Sequence, residues 1–145
     1  MFRFFWPGMW VGLLLGMTTP AVAQDNRVPL VELKENSPNP FFPSTAMPFD
    51  IHQEVCAGGH LPVVTMHIYN VLVQVVAIPV LQGDTSGSRL ENVRLRCGGH
   101  VAYWDGRNRE GREVPDGVYY YQLLVDGERV STRKMIVRRE LRSAQ

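Results

Sequence analysis

Histidine is scarce in this chain of 145 residues: only His52, His60, His67 and His100 are available as bases, and none stands in a recognisable hydrolase context. Catalysis needs a nucleophile, a base and a group that orients the base, and no such set is spaced along the sequence. A non-enzymatic protein without a cofactor is therefore expected. Net charge is also lacking, with 15 Lys and Arg facing 14 Asp and Glu. Near-neutrality argues against electrostatic capture of nucleic acid or anionic lipid. The apolar run over residues 9–17 is too short to span a bilayer. Helical periodicity is not sustained anywhere beyond it, which excludes a helical bundle and leaves strands.

What is present at the N-terminus is the pattern of a secretory leader. Arg3 is the only charge before Asp25, the apolar run follows it, and Ala21-Val22-Ala23 places small residues where a signal peptidase inspects the chain. A signal peptide over residues 1–23 and a mature chain from Gln24 are expected. Gln24 and not a cysteine stands directly after that cleavage point, so a lipid anchor is not indicated. Removing Arg3 leaves 14 of the 15 basic residues against 14 acids. The roughly 120 residues that remain suit one core and no second domain. The expected location is periplasmic, secreted or cell-surface, with a protein partner and no membrane-spanning segment after cleavage.

Along the mature chain, residues 28–33 could form a first edge strand. Residues 36–45 hold three prolines, which lack ladder donors and fix φ, so an extended connector is expected, with Phe41 and Phe42 pinning it to the domain. Residues 45–51 alternate as a strand, and Pro48 predicts that it lies at a sheet edge. Val64, Met66 and Ile68 alternate against Thr65, His67 and Tyr69 with period 2. Residues 72–80 are so uniformly apolar that a central strand covered on both faces is expected. A surface loop over 82–88 follows, then Leu90, Val93 and Leu95, and a strand over 100–104. Residues 118–125 and 130–138 are the last strands, joined at Asp126-Gly127, a dipeptide suited to the positive φ angles of a tight hairpin. About seven short strands with turns between them predict an all-β fold, a single immunoglobulin/fibronectin III-like β-sandwich over residues 44–140. An extended connector over 24–43 precedes it and a tail over 141–145 follows.

Four stretches resemble a known family. Ser37-Pro38-Asn39-Pro40-Phe41-Phe42-Pro43-Ser44-Thr45 is similar to the opening of FlgD-type Ig-like domains, and Ile68-Tyr69-Asn70-Val71 to their "IYN" strand. The run from Tyr103-Trp104-Asp105-Gly106 through Gly111, Val114 and Pro115 to Gly117-Val118-Tyr119 resembles their "WDGxxxxGxxVxxGVYxY" core. Arg133-Lys134-Met135-Ile136-Val137 resembles the closing strand. The same pattern resembles the C-terminal sorting domains of type IX secretion cargo. The resemblance implies an exported, non-catalytic Ig-like interaction or structural module of the bacterial envelope or exterior, with a type IX sorting-like domain as the alternative. The family's glycine after "YN" is missing. Leu72 and Val73 stand there, so that turn must be built differently. The hook-binding segment of the flagellar hook-capping protein has no counterpart here, which argues against that role.

Two segments look alike, Cys56-Ala57-Gly58-Gly59-His60 and Cys97-Gly98-Gly99-His100. Two Cys and two His are in principle a tetrahedral zinc set, which makes Cys56, His60, Cys97 and His100 the metal-binding alternative. An exported thiol pair is oxidised before it can wait for metal, so a Cys56–Cys97 disulfide is the expectation. Trp104, Tyr119, Tyr121 and Ile68 are the expected core, with Trp104 filling the space between the sheets. Tyr120, Gln122 and Leu124 share the opposite face, which either offers a partner surface or is covered by the N-terminal connector. Asp105, Asp116 and Asp126 all precede glycine and are expected to do turn chemistry, with Asp105, Gly106 and Gly117 as the marked turn positions. Asp105, Asn108 and Glu110 form a weaker calcium alternative. Arg133, Lys134, Arg138, Arg139 and Arg142 read as a solvated edge that discourages aggregation.

Overall fold

The computed structural model describes residues 21 and 29–139. Apart from Ala21, the expected leader, its cleavage point and the tail lie outside the described residues. Among the described residues nine strands form two antiparallel sheets: β1 (Val31–Leu33), β2 (Thr45–Ile51), β3 (Val63–Tyr69), β4 (Val75–Ala77), β5 (Val80–Leu81), β6 (Val93–Arg94), β7 (Gly98–Trp104), β8 (Gly117–Val125) and β9 (Glu128–Val137). One sheet runs β1-β2-β7-β5 and the other β4-β3-β8-β9, with β6 beside β3. The fold is an all-β sandwich, with more and shorter strands than the seven expected, because β4, β5 and β6 hold two or three residues each.

Period-2 alternation builds the core. Met47, Phe49 and Ile51 of β2 face Val64, Met66 and Ile68 of β3 and Tyr121 and Leu123 of β8, all buried. β8 and β9 form the longest hairpin, turned at Asp126 (φ 51°) and Gly127 (φ 81°). Two successive positive φ angles are those of a type I′ turn, whose twist matches the flanking strands.

Four expectations are corrected. Residues 72–80 are not a central strand. Residues 71–73 are an exposed turn, Val75–Ala77 is an edge strand of one sheet, and after Pro79 the chain continues as Val80–Leu81 at the edge of the other. The cause is local: Asn70 closes a hairpin. Its side-chain Oδ1 accepts from the N–H groups of Leu72 and Gln74, both at 3.0 Å, and its carbonyl accepts from Val73. An Asx-type turn of this kind overrides the apolar composition.

Pro48 does not put β2 at an edge, since β2 lies between β1 and β7. The Leu30 carbonyl accepts from His52 N–H at 2.8 Å, and the Lys34 N–H donates to the Pro48 carbonyl at 2.9 Å. Residues 34 and 48 therefore form a hydrogen-bonded pair of the antiparallel ladder, whose second bond a proline cannot supply. The Tyr121 hydroxyl, from the opposite sheet, donates to the Lys34 carbonyl at 2.7 Å in its place. A side chain thus satisfies the acceptor that Pro48 leaves open, and an interior proline is tolerated.

The connector is pinned by only one of its two aromatics. Phe41 is 2% exposed and its backbone bonds to β9, whereas Phe42 is 43% exposed beneath the Arg139 guanidinium. Arg139 and Arg133 are in turn not a free basic edge. Arg139 binds Asp116 at 2.8 Å and the Val114 carbonyl at 2.8 Å, and Arg133 Nε donates to the Leu33 carbonyl at 2.6 Å. Arg142 lies outside the described residues.

Candidate functional site

The two cysteines are joined. Cys56 sits in a short 3₁₀ segment, Gln53–Gly59, that follows β2, and Cys97 immediately precedes β7. Because Ile51 at the end of β2 pairs with Gly98 at the start of β7, the two α-carbons come within 6.1 Å, inside the range a disulfide spans. The histidines go elsewhere. His60 Nε2 lies 2.8 Å from Asp126 Oδ2, and His100 Nε2 lies 2.7 Å from the Arg96 carbonyl, its ring stacked on Phe49 at 5.5 Å. The four residues of the zinc alternative are therefore not gathered at one point.

Trp104 is buried, with Phe41 and Tyr119 against it at ring separations of 5.4 and 5.7 Å, and its indole N–H donates to the Arg107 carbonyl at 2.8 Å. Ile68 and Tyr121 lie in the same core. The Tyr119 hydroxyl donates to Pro115, and burial raises its pKa above the ordinary tyrosine value. Phe41 was missed as the partner of Trp104, since a connector residue gives no periodic signal.

The loop after Trp104 is tightly built. Asp105 Oδ1 accepts from Arg107 N–H at 3.1 Å, and Asn108 Oδ1 accepts from Glu110 and Arg112 N–H at 3.1 and 2.9 Å. These oxygens serve backbone donors, which leaves little of the calcium alternative. Gly106 has φ 71°, and a Cβ there would lie 2.7 Å from the Pro43 carbonyl, so no other residue fits. Gly117 opens β8 opposite Val137. Asp116 and Asp126 are corrected. Neither side chain serves its own turn, although the Asp126 backbone does form the hairpin: the Asp116 carboxylate holds Arg139, while that of Asp126 accepts from Val63 N–H at 2.9 Å and engages His60. The Val63 hydrogen bond, then His60, hold the Asp126 carboxyl below its usual pKa.

The outer face of the second sheet carries a side-chain ladder. His67 Nδ1 lies 3.2 Å from the Tyr69 hydroxyl, that hydroxyl donates to Gln122, and Gln122 Nε2 donates to Thr132 at 3.0 Å. The ladder crosses β3, β8 and β9 and fixes the face; burial lowers the pKa of His67. Tyr120 is half-exposed beside it, and a groove of about 400 Å³ lies between Tyr120, Gln122 and the hairpin turn. On that turn Val71, Leu72 and Val73 are 65%, 73% and 77% exposed, the largest exposures among the described large hydrophobics. Val73 has φ 60°, a left-handed conformation in which a β-branched side chain is strained. Reading residues 72–80 as buried hid this feature. The Asn70 and Gln74 bracket around three apolar residues was the signal available in the sequence.

No family model and no curated protein matches the chain. Among solved structures it is similar to the Pseudomonas fluorescens alkylpurine DNA glycosylase AlkC bound to DNA containing an abasic site analog, at 16% identity and a TM-score of 0.41. The match covers 76% of this chain and 31% of that one, so the chain spans under a third of the glycosylase's length. That protein is an enzyme, which runs against the expectation of a non-enzymatic chain, although the likeness is weak. A likeness at this TM-score carries no argument about which chemistry is involved. Among the described residues no helix is long and apolar enough to cross a membrane.

Proposed function

We propose that this chain is an exported Ig-like interaction or structural module of the bacterial envelope or exterior that works through protein contacts. The observation that carries the reading is the turn over residues 71–73. Three consecutive apolar side chains stand in solvent on a turn held by Asn70, one of them in a strained conformation, next to a half-exposed tyrosine. Exposed apolar groups held rigidly lose little entropy on docking, which is how protein interfaces gain affinity. The Cys56–Cys97 disulfide supports an oxidising compartment, and the leader pattern and the FlgD-type resemblance agree with it.

A photo-cross-linking residue placed at Leu72, compared with one at Ser86 in the polar loop, tests the reading in the native host. Cross-links to an envelope or secreted protein from position 72 and not from 86 are expected, on a chain whose N-terminus is Gln24. Equal labelling from both positions, or recovery of an intact cytosolic chain beginning at Met1, would overturn it.

A further inference from the structure

Where the chain crosses from one sheet to the other, between β4 and β5, it leaves a cleft of about 280 Å³ against the loop that follows Trp104. Ile78, Pro79 and Val80 form one wall, and Tyr103, 39% exposed, stands at the other. Arg89, Arg107 and Arg109 line it, against Asp105 as the one acid, and Asp105 already accepts from the Arg107 backbone. Arg107 is itself engaged, donating to the Gly111 carbonyl at 2.9 Å and lying 3.7 Å from Glu113. Among the described residues Arg89 and Arg109 form no ion pair.

These two guanidiniums come from different parts of the chain. Arg89 belongs to the segment bridged to Val80, and Arg109 is on the loop whose backbone N–H donates to Val76 at 3.0 Å. The loop cannot collapse into the cleft. Trp104, Asn108 and Arg107 hold it through the bonds described above, and Arg109 N–H ties it to β4. The opening is therefore preformed, cationic at its rim and apolar along one wall. Its excess of basic over acidic lining residues is larger than that of four other grooves on the described surface.

We propose that this cleft receives a carboxylate side chain, Asp or Glu followed by an apolar residue, from an extended segment of a protein partner. The proposal rests on the reading of the chain as a protein-contact module and names the chemistry of the contact. A guanidinium fork donates two parallel hydrogen bonds to a planar carboxylate, and the Ile78–Pro79–Val80 wall takes the neighbouring apolar side chain. Charge complementarity favours this occupant. A nucleic acid is disfavoured, because a chain with formal charge +1 lacks the broad basic surface that phosphate backbones require.

The test is a titration of the isotopically labelled, disulfide-intact mature chain, followed by NMR, with the peptide acetyl-Gly-Glu-Leu-Gly-amide. The same peptide with Gln for Glu, inorganic phosphate and a short DNA duplex serve as comparisons. The Glu peptide should move the backbone resonances of Arg89 and Arg109 and the Trp104 indole N–H. The Gln peptide should bind about tenfold more weakly, the loss of one charge-assisted contact. Arg89→Gln with Arg109→Gln should abolish the shifts while the melting temperature stays unchanged. Equal binding of the two peptides, retained binding by the double variant, or tighter binding of phosphate or the duplex than of the Glu peptide would overturn the proposal. Cross-linking from Leu72 that persists in the double variant would then show the contact-module reading standing without it.

Discussion

Tyr121 and Pro48 should be energetically coupled although they belong to different sheets. The Tyr121 hydroxyl donates to the Lys34 carbonyl at 2.7 Å, and that carbonyl is the acceptor a residue with an N–H at position 48 would otherwise serve. Tyr121→Phe removes the donor and keeps the buried ring, so the loss is one hydrogen bond, about 1–1.5 kcal/mol. For a domain of this size that is a fall of roughly 4–8 °C in Tm. Pro48→Ala restores a backbone donor aimed at the same carbonyl. In that background Tyr121→Phe should cost distinctly less, leaving a coupling of about 0.5–1 kcal/mol. Urea denaturation of the four proteins, with equal slopes checked first, gives the cycle. If Tyr121→Phe costs the same with proline or alanine at 48, within about 0.3 kcal/mol, the ladder does not share its acceptor and the account of an interior proline is wrong.

Three further outcomes follow from the same geometry. Cys56 and Cys97 should resist thiol labelling until reductant is added, and reduction should lower stability by about 4 kcal/mol, the chain-entropy value for a separation of 41 residues. Trp104→Ala should cost on the order of 3–5 kcal/mol in thermal unfolding, a large share of a small domain's stability, whereas an unchanged Tm would place the indole outside the core. Asp126 has a folded pKa below its unfolded value of 3.8, so its contribution is present above that value and is lost as pH falls through the folded pKa. Asp126→Asn should therefore flatten stability against pH below about pH 4, read by denaturation at a series of acid pH values, and a slope unchanged by the substitution would contradict the Val63 and His60 contacts.

Much of the sandwich was legible because its strands bury one face at a time. β2, β3 and β8 alternate in sequence, and Asp126-Gly127 announced its hairpin, since period 2 and turn chemistry are local properties. The errors came where the outcome depends on a distant partner. Pro48 reads as an edge signal because proline lacks a donor, and only the tertiary position of Tyr121 removes the penalty. Asp116 and Asp126 look like turn residues, yet their oxygens go to Arg139, Val63 and His60, which no spacing reveals. The cysteine pair could be read from compartment and number, whereas the aromatic partner of Trp104 could not.

The most consequential misreading concerns residues 72–80, and its cause explains where the candidate surfaces lie. A run that is apolar on both faces has no periodicity to say which face is buried, so composition alone assigns it to the centre of a sheet. Here Asn70 turns the chain before that strand can form, and the run is divided among a solvent-exposed tip, an edge strand, a crossing at Pro79 and an edge strand of the other sheet. Apart from Ala77, most of its apolar side chains are thereby kept at or near the surface, while β2, β3, β7 and β8 supply most of the core. The tip at 71–73 and the wall of the cleft at 78–80 are two products of that one diversion. In a small sandwich whose core is complete without them, exposed or half-exposed apolar residues on a rigid frame have contact with another molecule as their most direct physical use.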